Sequence, residues 1–391
     1  MLEDEQAVAA PSDPVSPFRW HRAAATGLAI LFVIVAGWTS WIIYSGPQAA
    51  DFLSYWAAAQ FALDGAPADA YDIGKHRAVE LAVAPVDGLL PFPYPPPFLL
   101  LLVPFGLPSF AIAFASWLLL TGGLYVAAVR RTAPLPYSLA HPAALANILI
   151  GQNGFLTASL FIGGTTLLER RPFLGGLTLG LMVIKPQLAL LLPLIVFAAR
   201  MWSAMAGAIL SGCALSLLAL AVLGPESFIG FWRILPVYTG AMAQNKWPWE
   251  ELASPFAFLR WFEVPQDVAL IVHGVIASTA AALVWWSWRR AIPQRVPILA
   301  AATMLVPPYI FTYDALLLVV PLAWFIRRQE HPGLVALLWM LCLLPVAGYF
   351  GFYAGPNTIP VAAIICLIVL WRQRLDRVPE CESQAAHDIA A

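Results

Sequence analysis

Charge is the scarcest commodity in this chain. Of its 391 residues, 11% are Asp, Glu, Lys or Arg and 61% are hydrophobic, whereas a soluble domain carries about 25% charged residues. That deficit excludes a water-soluble globular domain and indicates an all-α polytopic membrane protein with membrane lipids as its surroundings. Surplus positive charge is missing too. The formal net charge is −1, which leaves no electrostatic basis for nucleic-acid binding. The four cysteines (Cys213, Cys342, Cys366, Cys381) lack metal-ligand spacing, and three fall in apolar runs, so they read as small buried hydrophobes. The six histidines are scattered and the carboxylates form no DxD-type pair. No catalytic metal and no cofactor is therefore expected. An internal repeat of the kind that builds transporters from two halves is also absent. The opening stretch, 1–17, is acidic and rich in Ala, Pro and Ser, without the basic start or cleavage site of a signal peptide. It is expected to be disordered, and the first span to be retained.

What the chain does have is apolar length. Ala23 to Tyr44 are 22 positions without a charge, enough to cross the hydrocarbon core. Arginines then mark one side: Arg19, Arg22, the pairs at 130–131, 170–171, 289–290 and 327–328, Arg200, Arg295, Arg372, Arg374 and Arg377, together 15 of the 21 Lys and Arg. The positive-inside tendency places both termini in the cytoplasm. The other six (Lys75, Arg77, Lys185, Arg233, Lys246, Arg260) fall on the outer side. The expected organisation is a disordered cytoplasmic N-terminus (1–22), a transmembrane domain (23–372) with outer loops near 45–94 and 224–264, and a cytoplasmic tail (373–391), in the cell (inner) membrane.

Segments 23–44, 108–129, 203–223, 267–288 and 332–350 are long enough to span. Regions 137–168, 172–199 and 296–326 begin and end at cytoplasmic arginines but carry a polar or proline break in the middle, and 95–106 is a proline-led apolar segment. Counting short helices, about 12 spans are expected. The breaks read Gly151-Gln152-Asn153, Lys185-Pro186-Gln187, and Pro307-Pro308-Tyr309 followed by Tyr313-Asp314. Unwound backbone at membrane depth survives only where it lines a cavity or packs on protein. Three breaks on one side therefore imply one outward-facing cavity. Each outer loop is expected to bear an interfacial helix. In the first loop Phe52, Trp56, Ala59 and Leu63 recur at helical spacing. The second is rich in aromatics from Phe228 to Phe262, which suits either a membrane interface or stacking on sugar rings.

Four positions stand out chemically. Asp51 follows the first span and precedes a helix, so it is either an N-cap or a general base, and the two roles are compatible. Asp72 reads as a cap and Asp64-Gly65 as a turn. Lys185 sits inside an otherwise apolar 28-residue region, where a lysine costs about 2.5 to 3.5 kcal/mol at a helix centre. It must face water, a counter-charge or an anion such as phosphate. Asp314 is subject to the same cost, as counter-ion of Lys185 or as acceptor of a sugar hydroxyl. Gly151-Gln152-Asn153-Gly154 is a tight interhelical turn whose amides could bind hydroxyls.

The ordered set of motifs resembles glycosyltransferase family 87, whose members are multispanning GT-C-fold enzymes that include polyprenyl-phosphate-mannose-dependent mannosyltransferases. The matching pieces are Asp51 to Gln60 with Gly65 and Tyr71-Asp72; Phe92-Pro93-Tyr94-Pro95-Pro96-Pro97 leading to Pro104; Gly151-Gln152-Asn153; and Arg171-Pro172 through Gly176 and Gly180 to Lys185-Pro186. The resemblance implies transfer of a hexosyl unit, with mannosyl as the expectation, from a polyprenyl-phosphate sugar to a lipid- or glycan-linked acceptor on the outer face. It assigns the base to Asp51. Lys185 is the expected donor-phosphate contact, and Tyr55, Tyr94, Gln152, Asn153, Tyr313 and Asp314 are expected to touch substrate. The chain departs from some family mannosyltransferases at Pro307 to Asp314, where those enzymes carry Trp and His. A lipid or sugar transporter would share broken helices and a midplane charge, but would not need two large aromatic outer loops.

Overall fold

The computed structural model describes residues 17–45, 51–85, 90, 92–243, 247–328 and 332–375. The expected disorder over 1–16, most of the cytoplasmic tail, and Lys246, His331, Cys381 and His387 lie outside the described residues. Among the described residues the fold is helical, with no strand. One isolated antiparallel bridge joins Leu252 to Phe311.

Among the described residues four helices are long and apolar enough to cross a membrane: Arg22–Thr39, Phe110–Val129, Trp202–Met242 and Gln266–Arg289. Six shorter apolar helices accompany them, among them Pro96–Gly106, Gly154–Leu168 and Pro332–Gly348. The first helix starts at Pro17, so 17–22 are helical rather than part of a disordered terminus. The fixed φ of proline suits a first helical position. The expected loop at 224–264 also differs from expectation. Gly224 (φ 73°, ψ 164°) kinks the chain and helix resumes to Ala243, because Gly supplies the one positive-φ turn needed to re-aim it.

The three broken regions break where the polar residues sit. Pro142–Ile150 ends at Gly151 in the left-handed region (φ 70°), and Gly154–Leu168 follows. A Cβ at Gly151 would also run into Phe52 and the Phe114 ring, so both φ and space demand glycine there. Pro172–Gly180 tightens into a 3-10 turn, Leu181–Ile184, and stops at an extended Lys185 (φ −147°) before Pro186. The residue before proline is steered away from the helical region. Arg295–Thr303 is separated by an irregular stretch from the 3-10 turn Thr312–Leu318. Gly176 and Gly180 let the Pro172–Gly180 helix touch the Trp202–Ala243 helix, since a Cβ at either would collide with backbone at Ala204 or Ala208. Small residues allow such close approach.

The helix expected after Asp51 is present as Phe52–Leu63, but it is not an interfacial helix half in lipid. Phe52 to Ala59 are buried apart from the half-buried Trp56. It packs against Pro96–Gly106 in an aromatic cluster with Phe98, Phe114 and Trp117. A helix apolar on nearly all sides buries itself in protein.

Candidate active site

Asp51 is the last residue before the Phe52–Leu63 helix, and its side chain makes no capping bond. The carboxylate instead accepts a hydrogen bond from Gln152 Nε2 at 2.8 Å. Asp72 is the cap in this region, accepting from the Lys75 amide at 3.0 Å. Asp51 is thus turned from its own helix toward the first break.

Gln152 is the hub of a phenol cluster. Its Oε1 accepts from Tyr55 and, at 3.1 Å, from Tyr94. The Tyr94 and Tyr313 hydroxyls are 3.3 Å apart. Each phenol has one proton, so Tyr55 and Tyr94 donate to Gln152, Tyr313 donates to Tyr94, and Gln152 donates to Asp51. Every donor direction runs toward the Asp51 carboxylate. The rings are fixed by packing: Tyr55 meets Tyr94 and Phe98 edge-on at 5.3 and 5.1 Å, and Tyr313 stacks on Phe311 at 5.3 Å. The proline run sets Tyr94, whose carbonyl accepts from Tyr71 at 3.0 Å just before the Pro96–Gly106 helix begins.

The second and third breaks join from the other side of Tyr313. Lys185 Nζ donates to Asp314 Oδ1 at 2.6 Å and to Asn153 Oδ1 at 3.0 Å. It also lies 4.4 Å from the centre of the Tyr313 ring. An ammonium has three N–H bonds, and these two acceptors and the ring face occupy the surroundings of the ion. Lys185 is 1% exposed. Asp314 Oδ2 accepts from the Phe311 amide at 3.2 Å. The two readings left open for Asp314 thus resolve, in this geometry, to counter-ion of Lys185. Asn147 binds the breaks together: its amide donates to the Ala143 and Tyr313 carbonyls at 2.7 and 3.0 Å, and its oxygen accepts from the Gly154 amide at 2.8 Å. Gln152, Lys185 and Tyr313 therefore meet in one cluster, and all eight expected site residues belong to it.

Two carboxylates escaped the sequence reading. Glu250 and Glu251, between the Trp202–Ala243 and Gln266–Arg289 helices, line a cavity of about 400 Å³ with Trp261, Thr312, Tyr349 and Tyr353. Thr312 Oγ1 donates to the Glu251 carbonyl at 3.2 Å, and Asn357 Nδ2 donates to the Glu250 carbonyl at 3.0 Å and to Thr312 Oγ1 at 2.7 Å. Buried Thr312 and Asn357 thereby clamp three separate segments. The signal was in the chain: adjacent acids are rare where charge is scarce, but the aromatic residues around them drew the reading. The cavity abuts the phenol cluster, since Thr312 lines one and Tyr313 belongs to the other.

The electrostatics tie the two together. Burial pushes the Asp51 carboxyl above its usual range, the Gln152 hydrogen bond works against that shift, and negative charge on buried Glu80 adds to it. Glu251 is open to the cavity, yet protein surrounds it. That burial, with the charges of Asp51 and Glu250, pushes its carboxyl to about 7. Like charges in reach of one another favour the protonated form.

A sequence-family model, glycosyltransferase family 87, matches residues 92–312, which is more than half of the chain. The chain belongs to glycosyltransferase family 87. It is thus a membrane glycosyltransferase, and a sugar donor and an acceptor are its substrates. The part matched to family 87 carries Tyr94, Gln152, Asn153 and Lys185 and ends at Thr312. Asp51, Tyr55, Tyr313 and Asp314 lie outside it and join the family 87 segment through Gln152, Tyr94 and Lys185. No curated protein and no solved structure matches the chain.

Proposed function

We propose that this glycosyltransferase moves a hexosyl unit, mannosyl in the first instance, from a polyprenyl-phosphate sugar to a hydroxyl of a lipid- or glycan-linked acceptor, with Asp51 as general base. The reading includes a GT-C-type fold of about 12 spans, cytoplasmic termini and a site on the outer face of the cell membrane. The observation that carries it is the Asp51 carboxylate, turned from its helix, held by Gln152 and near enough to Glu251 for its charge to act on that carboxyl.

In the reaction, Asp51 takes the proton of the acceptor hydroxyl as its oxygen attacks the anomeric carbon. The bond from that carbon to the phosphate oxygen breaks, and the phosphate leaves with the electron pair. A carboxylate with a raised pKa is better matched to this transfer near neutral pH than an ordinary one. One displacement inverts the anomeric centre, and a phosphate needs no general acid to depart. Tyr55, Tyr94 and Gln152 orient the base. Lys185 would neutralise the donor phosphate only by exchanging Asp314 for it. In the observed geometry it is a positioning residue, holding Tyr313, Asn153 and Asp314 together.

The test is sugar transfer from labelled polyprenyl-phosphate hexoses by purified wild type and Asp51→Asn. Asparagine can still accept the Gln152 hydrogen bond, so the cluster should persist while transfer falls by about 10² to 10⁴. Turnover within a few-fold of wild type would remove Asp51 from the mechanism. Movement of donor across vesicles without transfer would favour a transporter.

A further inference from the structure

The cavity lined by Glu250 and Glu251 has a composition that selects its occupant. It brings two carboxylates, Glu250 and Glu251, together with the phenols of Tyr349 and Tyr353 and the indole of Trp261, and among the described residues no Lys or Arg lines it. A space of about 400 Å³ is at the small end of ligand pockets, suited to a compact head group and not to a long chain. Carboxylates only accept hydrogen bonds when ionised, so their natural partner is a hydroxylated ligand. They repel a phosphate, and no Lys or Arg among the described lining residues offsets that repulsion. Aromatic rings supply amphipathic faces against which the C–H face of a sugar can pack.

The walls are held in place from behind. The carbonyls of Glu250 and Glu251 are tied to buried Asn357 and Thr312, and the Ala253 amide donates to the Ile310 carbonyl at 2.6 Å. With both backbones clamped, the glutamate side chains are directed to the cavity they line. Asp51 is within electrostatic reach, because its charge contributes to holding Glu251 up at about 7 and also acts on Tyr349.

We propose that this cavity is the acceptor subsite and takes a neutral, polyhydroxylated saccharide unit, with Glu251 accepting a hydrogen bond from one hydroxyl while a neighbouring hydroxyl reaches Asp51. This rests on the glycosyl-transfer reading above and sharpens it: the acceptor is a neutral glycan or glycolipid head, not a phosphorylated sugar or an anionic lipid head. The donor phosphate then approaches Asp51 from another side, away from Glu250 and Glu251. Glu251 is a substrate-binding residue here, and the proton still goes to Asp51.

Binding can be read apart from turnover by titration calorimetry on protein purified in an amine-oxide detergent, since maltoside detergents would themselves present sugars. The probes are methyl hexopyranosides and methyl disaccharides on one side, and inorganic phosphate and glycerol 3-phosphate on the other. Wild type should bind a neutral glycoside and not the anions. Glu251→Ala should weaken that binding at least ten-fold and raise the KM for acceptor with little change in the KM for donor. Glu251→Gln, closer in shape, should fall between, and a thermal melt of each variant checks folding. No heat from any neutral glycoside, tighter binding of phosphate, or unchanged glycoside affinity in both variants overturns the proposal. If those variants bind normally while wild type still transfers sugar, the subsite is wrong and the transfer reading stands. If glycoside binds through Glu251 but no polyprenyl-phosphate sugar is ever used, the subsite stands and the transfer reading fails.

Discussion

Removing Lys185 tests what the buried ion pair does. Lys185 and Asp314 meet at 2.6 Å, with 1% and 0% of their side chains exposed. In Lys185→Met the apolar stem is largely retained while Asp314 keeps only the Phe311 amide at 3.2 Å. Breaking one partner of a buried pair leaves an uncompensated charge and costs about 3 to 5 kcal/mol. Asp314→Asn should cost a similar amount, with the ammonium left to Asn153 and the Tyr313 ring. The double variant, Lys185→Met with Asp314→Asn, leaves no buried charge, and replacing such a pair by uncharged groups is often near neutral. The three variants close a double-mutant cycle whose expected coupling is the sum of the two single costs, about 6 to 10 kcal/mol, well above the usual range for residues in contact. Thermal and denaturant unfolding in detergent, followed by near-UV dichroism, gives the stabilities, and binding of a polyprenyl phosphate gives the ligand side. A phosphate-binding lysine predicts the reverse: lost lipid binding in Lys185→Met with stability intact. Single variants within about 1 kcal/mol of wild type, the low end of contact couplings, would refute the pairing argument.

Other outcomes follow from the same cluster. Gln152→Leu removes the hydrogen bond that favours the ionised form of Asp51, so the acid limb of kcat against pH should move to higher pH, and an unmoved limb counts against Asp51 as the titrating base. Gly151→Ala places a Cβ at φ 70° against Phe52 and Phe114; it should destabilise by more than about 1 kcal/mol, measured by thermal melts. Glu251 has a folded-state pKa raised from 4.5 to about 7. Over that interval the folded chain binds more protons than the unfolded one, so its contribution to stability falls as pH rises from 4.5 to 7 and is flat beyond either end. Glu251→Gln should abolish that slope, and parallel stability curves for the two proteins would contradict it.

Much of this was legible in the sequence because membrane insertion penalises ambiguity. A polar residue in an apolar run must have a reason, so Gln152, Asn153, Lys185 and Asp314 announced themselves by cost, and Pro186 and Gly151 marked where the helix stops. What the spacing left open was pairing. It does not say that Asp51 faces Gln152 rather than capping its own helix, and it offers Asp314 as counter-ion of Lys185 only as one of two readings. Those are contacts 101 and 129 residues apart. The Phe52–Leu63 helix misled for a related reason: a run of Phe, Trp, Tyr and Ala suits an interface and a protein interior equally, and only its packing partners distinguish them.

The convergence of the three breaks has a physical cause beyond function. Each interrupted helix leaves backbone donors and acceptors that lipid cannot satisfy. In the observed cluster one break is satisfied by side chains carried on another. Asn147 does this literally: it caps the Gly154 amide of its own break and reaches the Tyr313 carbonyl of the third. Lys185, from the second break, closes the circuit through Asn153 and Asp314. A chain with charge at only 11% of its positions therefore gathers the polar residues of its three breaks at one place, because dispersed breaks would each be orphaned. Asp51 at the edge of that cluster inherits a rigid hydrogen-bonded support, which is what a base must have to meet an incoming hydroxyl in a fixed direction. The expectation that follows is sharp: Asn147→Leu, which touches neither Asp51 nor the cavity, should lower kcat as well as stability, because it releases the Tyr313 carbonyl and the Gly154 amide together. A variant that loses stability while its folded fraction turns over at the wild-type rate would separate support from catalysis and sink this account.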